Sequence, residues 1–324
     1  MRAPVDYIFP PVTTGGMPFW RLVLRGSSQL CFQSNELTGV FFLVAVLVAS
    51  PIAAAYLLVA GIMAPAGRML MGERGPVLAT GLPGLNPCLM ALSLPAFFNT
   101  GWSNLGMWGM LVVCVAITIV LVRVSVAILP FPTLAFPFLV VFWGLYALAP
   151  EIDVLQRIAS GTSPDTTLHP LTAVLHSLGA ALFAPTIWSG LLYLAGVLLS
   201  NWRHGLVALI GAVIGTLVSY YYHQVDPGSA NLGLYGFNGV LTAVAVFAIC
   251  GGQLRLAILG ALAATILMPA ITAIGLPAVS APFVLTTWLM LALGWIGDHG
   301  FDDKPACVAA AEPSTQPSHN DRGE

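Results

Sequence analysis

The side chains in this sequence that could act on a solute are polar but uncharged. Two asparagines lie in a phrase that occurs twice, Gly81-Leu82-Pro83-Gly84-Leu85-Asn86-Pro87-Cys88-Leu89 and Gly233-Leu234-Tyr235-Gly236-Phe237-Asn238-Gly239-Val240-Leu241. Hydroxyls follow two Leu-Pro pairs, at Thr133 and Ser280, and an amide lies at Gln29. Amides and hydroxyls recognise a partner by donating and accepting hydrogen bonds. The set predicts recognition of a neutral solute, with no catalytic residue.

The composition places these groups in a membrane protein. The chain has 324 residues, of which 58% are hydrophobic and 7% charged, and its mean hydropathy is +0.89. A soluble protein needs more surface charge, so we expect an integral membrane protein in contact with lipid. The net charge of -2 argues against a nucleic-acid partner. The five cysteines show no paired spacing, so neither a disulfide framework nor a metal site is expected, and no cofactor.

The apolar runs predict an all-α membrane protein with about ten transmembrane helices plus re-entrant or broken helices. Charged residues are absent from the interior of these runs, which lie near 39–50, 51–67, 82–99, 105–122, 133–149, 188–202, 205–222, 237–250, 257–274 and 281–297. A Gly- and Pro-rich break between such runs frees backbone groups that lipid cannot satisfy. Two such breaks in one chain predict two broken helices facing each other around a pore.

Three matches share nearly one register, about 150 residues apart, which is typical of internal duplication. The first is the asparagine phrase. The second aligns 23–39 with 174–190, and the third aligns Leu129-Pro130-Phe131-Pro132-Thr133 with Leu276-Pro277-Ala278-Val279-Ser280. About five spans in each half is an odd number, so the second half must be inverted.

Charge placement predicts the topology and the boundaries. Of the 11 Lys and Arg residues only Arg157 falls on the outer side, so both termini are predicted in the cytoplasm. The predicted parts are a cytoplasmic segment 1–18, a first repeat 19–150, an external connector 151–169, a second repeat 170–297 and a disordered cytoplasmic tail 298–324.

Each candidate residue also has a structural interpretation. Asn86 and Asn238 could brace the breaks or line the pore, and the two remain open alternatives. The hydroxyls of Thr133 and Ser280 could bond the helix backbone or face a solute at the midplane. Gln29 could serve a helix contact.

Two histidines could in principle relay protons. Both His176 and His223 are interpreted as interfacial or helix-end residues in preference to relays.

Together these motifs resemble the urea transporter family. Leu129-Pro130-x-x-Thr133-x-x-Phe136 and Leu276-Pro277-x-x-Ser280-x-Pro282-Phe283 look like its duplicated LPxxTxPF signature, and 233–241 is similar to a second signature. Gln29-Leu30-Cys31-Phe32 resembles the family's pore glutamine with its following aromatic residue. The likeness extends from about Phe19 to Trp295.

The resemblance implies a channel-like urea uniporter, a homotrimer with one pore per protomer, which we expect in a bacterial inner membrane. It implies a pore lined or flanked by Gln29, Phe32, Leu85, Leu89, Thr133, Phe183, Phe237, Leu241 and Ser280, with Asn86, Asn238, Pro130 and Pro277 at the helix breaks. Three departures from the pattern are expected to affect selectivity. Ala135 replaces a signature proline, Ser280 replaces a threonine, and Ala180 stands in the register of Gln29.

Other functions fit less well. Asn86-Pro87-Cys88 and Asn238-Gly239-Val240 echo the paired Asn-Pro-Ala of aquaporin-like water or glycerol channels, but those have six spans. A coupled secondary transporter would leave an intramembrane carboxylate or histidine, and the predicted spans contain none deep inside. No pairing of nucleophile and base indicates an enzyme. A channel for short amides in place of urea remains open.

Overall fold

The computed structural model describes residues 16–158 and 165–300, and side chains up to residue 294. This part of the chain is 75% helical and contains no β-strand. Predictions for most of the amino-terminal segment, for the middle of the connector and for the tail beyond residue 300 lie outside the described residues.

Fourteen α-helices make up the described part. They are α1 Phe19–Ser28, α2 Glu36–Ala49, α3 Pro51–Leu70, α4 Pro76–Ala79, α5 Leu85–Phe97, α6 Leu105–Ile128, α7 Phe136–Leu148, α8 Pro170–Ala180, α9 Ile187–Ser200, α10 Trp202–Leu217, α11 Pro227–Asn231, α12 Phe237–Ile249, α13 Leu254–Thr272 and α14 Ala281–Gly300. Short 3-10 turns extend α1 to Cys31 and precede α5, and a π-helical turn extends α10 to Tyr222.

The predicted all-α membrane protein is confirmed, and every predicted span coincides with a helix. Within the described ranges, four helices are long and apolar enough to cross a membrane alone, namely α3, α6, α10 with its π-turn, and α13. The pair α1 and α2 also qualifies as a span broken by a bend of 72°. The remaining apolar helices are shorter when α14 is counted only to Gly294. Helix lengths therefore support at least four crossings by themselves.

The helices begin where the sequence supplies caps. The side chain of Asn35 accepts from the backbone N–H of Thr38 at the start of α2, and Thr186 does the same for Ser189 at the start of α9. Ser50 caps α3 and Asn201 caps α10. Such caps satisfy N–H groups that a helix end leaves open. The caps occur at matching places in the two halves.

Close packing also recurs in both halves. A Cβ atom on Gly39 would lie 2.1 Å from the carbonyl oxygen of Leu24, and one on Gly190 would lie 2.0 Å from that of Leu175. Only glycine lets the backbones approach this closely. These are the positions that the second sequence match aligned.

Helices α2 and α9 join the two halves through a reciprocal pair of hydrogen bonds. Thr38 Oγ1 donates to the carbonyl of Gly196 at 2.8 Å, and Ser189 Oγ donates to that of Ala45 at 2.7 Å. Because the early residue of each helix meets the late residue of the other, α2 and α9 run antiparallel.

The glycine contacts predict an effect on stability. Gly39→Ala or Gly190→Ala should lower the free energy of unfolding by at least about 1–3 kcal/mol, because the added methyl overlaps a backbone carbonyl. Thermal denaturation in detergent would measure it. Gly109→Ala on α6 is the matched control, since a Cβ there meets nothing within 4 Å. Equal melting of Gly39→Ala and the control would contradict the packing.

Candidate functional site

The duplicated phrase forms two tight breaks against the first helix of each half. Gly81 and Gly233 have φ of 77° and 71°, a region that favours glycine. A Cβ on Gly81 would lie 2.5 Å from the carbonyl carbon of Arg25, and one on Gly233 would lie 2.4 Å from that of His176. These glycines place the starts of α5 and α12 next to α1 and α8.

Asn86 braces the first break. Its Nδ2 donates to the carbonyl of Leu134 at 2.8 Å, and its Oδ1 accepts from the N–H of Phe138 at 3.0 Å. Leu134 has a φ of 46°, which is rare for a side chain of this type, and it lies just before α7. Asn86 is buried, so its amide satisfies backbone groups that lipid could not.

Asn238 makes the same bonds in the second half. Its Nδ2 donates to the carbonyl of Val279 at 2.9 Å, and its Oδ1 accepts from the N–H of Phe283 at 3.3 Å. Val279 has a φ of 35°. Both ends of each amide are occupied by backbone, which favours bracing over pore lining for the two asparagines.

The two loops before α7 and α14 contact each other's helices reciprocally. Trp143 Nε1 donates to the carbonyl of Pro277 and Trp288 Nε1 donates to that of Pro132, both at 2.8 Å. With the asparagine bonds, these contacts pair Leu134 with Val279. The two loops therefore have a structural register that is set independently of the sequence match.

That register corrects the predicted pairing. Ser280 is equivalent to Ala135 and not to Thr133, and Pro277 is equivalent to Pro132 and not to Pro130. The sequence match was anchored on Leu-Pro, whereas the structure aligns the Pro-Phe pairs that begin the helices. In this register the first-half signature covers residues 131–138, and Pro137 is its proline, equivalent to Pro282. The prediction that Ala135 replaces the signature proline was therefore wrong. Ala135 stands in the place of the hydroxyl.

The hydroxyls differ in their surroundings. Ser280 is 3% exposed, and its Oγ has no hydrogen-bond partner among the residues that the structure describes. Ala135 is fully buried. Thr133 is half-buried. An unpaired buried hydroxyl costs free energy until a partner supplies the bond.

Two phenylalanines cross between the halves. Phe32 and Phe183 adopt left-handed conformations, with φ of 57° and 54°. The ring of Phe32 lies 5.8 Å from that of Phe283, and the ring of Phe183 lies 6.3 Å from that of Phe138, measured between centroids. Each half thus places an aromatic ring against a phenylalanine of the other half, at the start of α14 or α7.

Gln29 is buried, and its side-chain amide forms hydrogen bonds within the protein through one of its two polar atoms. Its Nε2 donates to the carbonyl of Thr80 at 2.7 Å and to Ser34 Oγ at 2.9 Å. Its Oε1 has no hydrogen-bond partner in the described ranges. The helix contact considered from the sequence is therefore present, and it leaves the acceptor atom available.

A cavity of about 420 Å³ lies between the halves. Its lining is apolar throughout and consists of Pro95, Ala96, Phe97, Ile158, Ala180, Phe183, Pro185, Leu232, Leu234, Phe237, Met268, Pro277, Ala278 and Val279. Among the predicted pore residues only Phe183 and Phe237 line it, with Pro277 of the predicted breaks. Gln29, Phe32 and Thr133 do not line it.

The predicted leucines lie deeper. Leu85, Leu89 and Leu241 are 3%, 3% and 4% exposed and belong to the first two turns of α5 and α12. Sequence reasoning missed Phe97 and Met268, which line the cavity. Their apolar runs contain no feature that separates them from ordinary core residues.

Each of the two histidines has a ring nitrogen within hydrogen-bond distance of a backbone carbonyl, and His176 lies within α8 and not at its end. His176 Nδ1 lies 2.8 Å from the carbonyl of Asn231, and His223 Nε2 lies 3.1 Å from that of Thr265.

One carboxylate is buried at the start of α2. Glu36 is 2% exposed, and its Oε1 accepts from the Nε atoms of Arg21 at 2.6 Å and Arg25 at 2.9 Å. The predicted span began three residues later and excluded it. Two arginines neutralise its charge.

Comparison with known proteins gives a consistent result. Residues 20–294 match the family of urea transporters. Urea transporter 1 of Ovis aries is 26% identical over 294 residues, which cover 84% of this chain and 76% of that protein. Urea transporter 1 of Mus musculus is 28% identical over 245 residues, covering 71% and 63%.

The asparagine braces predict a stability effect. Asn238→Ala should lower the free energy of unfolding by about 1–3 kcal/mol for each backbone group that it leaves unpaired. Thermal denaturation would measure the loss, with Asn99→Ala on the exposed surface as the control. Unchanged stability with lost solute flux would instead place Asn238 in the path.

Proposed function

The chain belongs to the urea transporter family, and on that premise we propose that urea crosses the membrane through the space between its two halves. The predicted family membership is confirmed by the match over residues 20–294. The protein therefore carries out facilitated urea transport and is not an enzyme. The observation that supports the location of the path is the apolar cavity bounded by both halves.

We propose that the halves are inverted repeats with about five crossings each. The support is a set of contacts that recur with the halves exchanged. The reciprocal bonds of α2 and α9 require antiparallel helices, and the bonds of Trp143 and Trp288 cross in the same way. A twofold axis in the membrane plane produces this pattern.

Urea is flat and neutral, with four N–H donors and one acceptor. A path for it needs apolar walls for its faces and acceptor oxygens along its edge. We propose that Phe32 and Phe183 supply walls on either side of the midplane. Ser280 Oγ has no hydrogen-bond partner among the described residues, and both hydrogen bonds of Gln29 come from its Nε2, so the Ser280 hydroxyl and the Gln29 Oε1 could bind the edge. Leu89 and Leu241 would wall the narrow centre.

The two mouths of the path should differ chemically. Gln29 corresponds to Ala180, and Thr133 corresponds to Ala278 in the structural register. The alanines line the apolar cavity, so their polar counterparts belong to the opposite mouth. Charge placement assigns the polar mouth to the cytoplasmic side.

Membrane placement follows from the apolar helices and the family. We propose cytoplasmic termini, an external connector and a homotrimer in a bacterial inner membrane. Arg157 of the connector lies over the ring of Tyr146, 4.0 Å from its centroid, and donates to the carbonyl of Tyr146. This anchors the one arginine assigned to the outer side.

A coupled transporter is disfavoured by the lining of the path. None of the described lining residues of the cavity titrates, and Glu36 is neutralised by Arg21 and Arg25. An aquaporin-like channel is disfavoured because the side-chain amides of Asn86 and Asn238 donate to backbone carbonyls and not to a solute in the path.

Urea flux should therefore be independent of proton gradients and of membrane potential. Stopped-flow measurement in proteoliposomes would test this with and without an imposed gradient, using protein-free liposomes as the control. A flux that collapsed on removal of the gradient would point to coupling.

Gln29→Ala should weaken apparent urea affinity roughly two- to tenfold, because one neutral hydrogen bond is lost. Concentration dependence of flux would measure it. Ala180→Gln, at the matching place in the other half, is the informative counterpart and should strengthen affinity if its amide reaches the solute. Equal affinity of Gln29→Ala and wild type would show that Gln29 serves only its contacts with Thr80 and Ser34.

A further inference from the structure

We propose that the ends of α3 and α6 form a binding site for the phosphate of an anionic phospholipid, with Arg74 and Arg123 as the residues that bind it. Both arginines are exposed, and neither lines the cavity between the halves. The site is therefore separate from the proposed path for urea and does not depend on it. Its basis is a pair of positive charges that the described part of the chain does not neutralise.

Arg123 interrupts an exposed apolar face of α6. Val120 and Val124 are 49% and 46% exposed on either side of it, and Ile128 at the end of the helix is 70% exposed. With 24 residues, α6 is longer than the roughly 20 residues that cross a bilayer. Arg123, in its last two turns, therefore lies near the level of the lipid headgroups, where an arginine extends its charged end towards the interface.

The guanidinium of Arg123 is held against the end of α3. Its Nη1 donates to the carbonyl of Met71, the residue that follows α3, at 2.7 Å. The two helices pack side by side, since a Cβ on Gly67 would lie 3.2 Å from the side chain of Ile119. The other N–H groups of Arg123 have no hydrogen-bond partner in the described ranges. They remain available for a ligand at this surface.

The loop between α3 and α4 supplies the second arginine, and its one acid is already paired. Arg68 Nε donates to Glu73 Oε2 at 2.5 Å, and Arg68 Nη2 donates to Glu73 Oε1. Both oxygens of the carboxylate are therefore bound by Arg68. Arg74 forms no ion pair or hydrogen bond with any residue that the structure describes. Arg74 and Arg123 thus leave two positive charges uncompensated there.

The second half shows that the fold does not require these arginines. Helices α4 and α11 both begin at a proline, Pro76 and Pro227, so the loops before them correspond. The loop before α11 contains Asp226 and no arginine. Helix α13 packs against α10 as α6 packs against α3, and it has no charged residue after Arg255. The positive charge in the first half therefore points to a partner and not to a shared structural need.

A phospholipid phosphate matches the chemistry of this surface. A guanidinium binds a phosphate group through two parallel, charge-assisted hydrogen bonds. Leu70 and Val77 flank the loop and are 89% and 52% exposed, so apolar side chains adjoin the charged groups. Acyl chains can cover these side chains, whereas a free phosphate ion cannot. The combination of charge and apolar surface therefore favours a lipid over a soluble anion.

The test measures lipid binding to the full chain in neutral detergent by native mass spectrometry, with phosphatidylglycerol and phosphatidylcholine as probes. Wild type should prefer phosphatidylglycerol roughly tenfold or more, because each arginine near the headgroups contributes about a factor of five. Arg74→Gln and Arg123→Gln should each weaken phosphatidylglycerol binding roughly fivefold. Arg255→Gln is the matched control, since it removes an exposed arginine outside the site, and it should leave the affinity unchanged.

Arg74→Gln keeps the test decisive should Arg123→Gln fail to assemble, because Arg74 has no bond to lose among the described residues. Equal affinity of wild type for the two lipids, or unchanged binding in Arg74→Gln, would overturn the proposal. An equal loss in Arg255→Gln would also overturn it, by showing attraction to surface charge in general. Inorganic phosphate should not displace the lipid at millimolar concentration, and displacement would show a site for soluble anions instead.

Discussion

A helix that breaks inside a membrane must find protein partners for the backbone groups that it frees, and this requirement organises the structure. Asn86 and Asn238 meet it by holding the loops before α7 and α14 at both a carbonyl and an N–H. Lipid supplies no hydrogen bonds, so an unsatisfied pair at this depth would cost several kcal/mol. The braces allow irregular backbone where the path requires it.

Close packing at two glycines positions the helices that the asparagines hold. Gly39 and Gly190 bring the first two helices of each half into backbone contact, which positions Phe32 and Phe183 at the ends of α1 and α8. Hydrogen bonds between α2 and α9 then hold the halves together. Rings and loops from opposite halves meet at the interface, and an apolar cavity remains between them. Its walls suit the faces of a flat neutral solute.

The contacts that recur in both halves stabilise the fold, and the positions at which the halves differ are the ones that can affect solute binding. Where the halves agree, as at the asparagines, the side chains serve the backbone. Where they differ, as at Gln29 and Ala180 or at Ala135 and Ser280, one half has a polar side chain and the other an alanine. A side chain freed from bracing can change without breaking the fold. Selectivity can therefore evolve at these positions while the scaffold stays constant.

The sequence by itself determined the helical membrane class, the positions of the apolar helices and the family. These depend on local properties: apolar runs, caps such as Asn35 and a repeated phrase. Tertiary structure decided which residues face one another. Ser280 was matched to Thr133 because Leu-Pro recurs in the sequence, yet the bonds from Trp143 and Asn238 pair it with Ala135. The register of the two loops depends on contacts between helices that are distant in the sequence. The loop before α7 has two residues more than the loop before α14 between its Leu-Pro and Pro-Phe pairs, and the sequence alone does not show where these two residues are inserted. The bracing role of the asparagines was open for the same reason, because hydrogen-bond partners some 40 to 50 residues away become neighbours only when the helices pack.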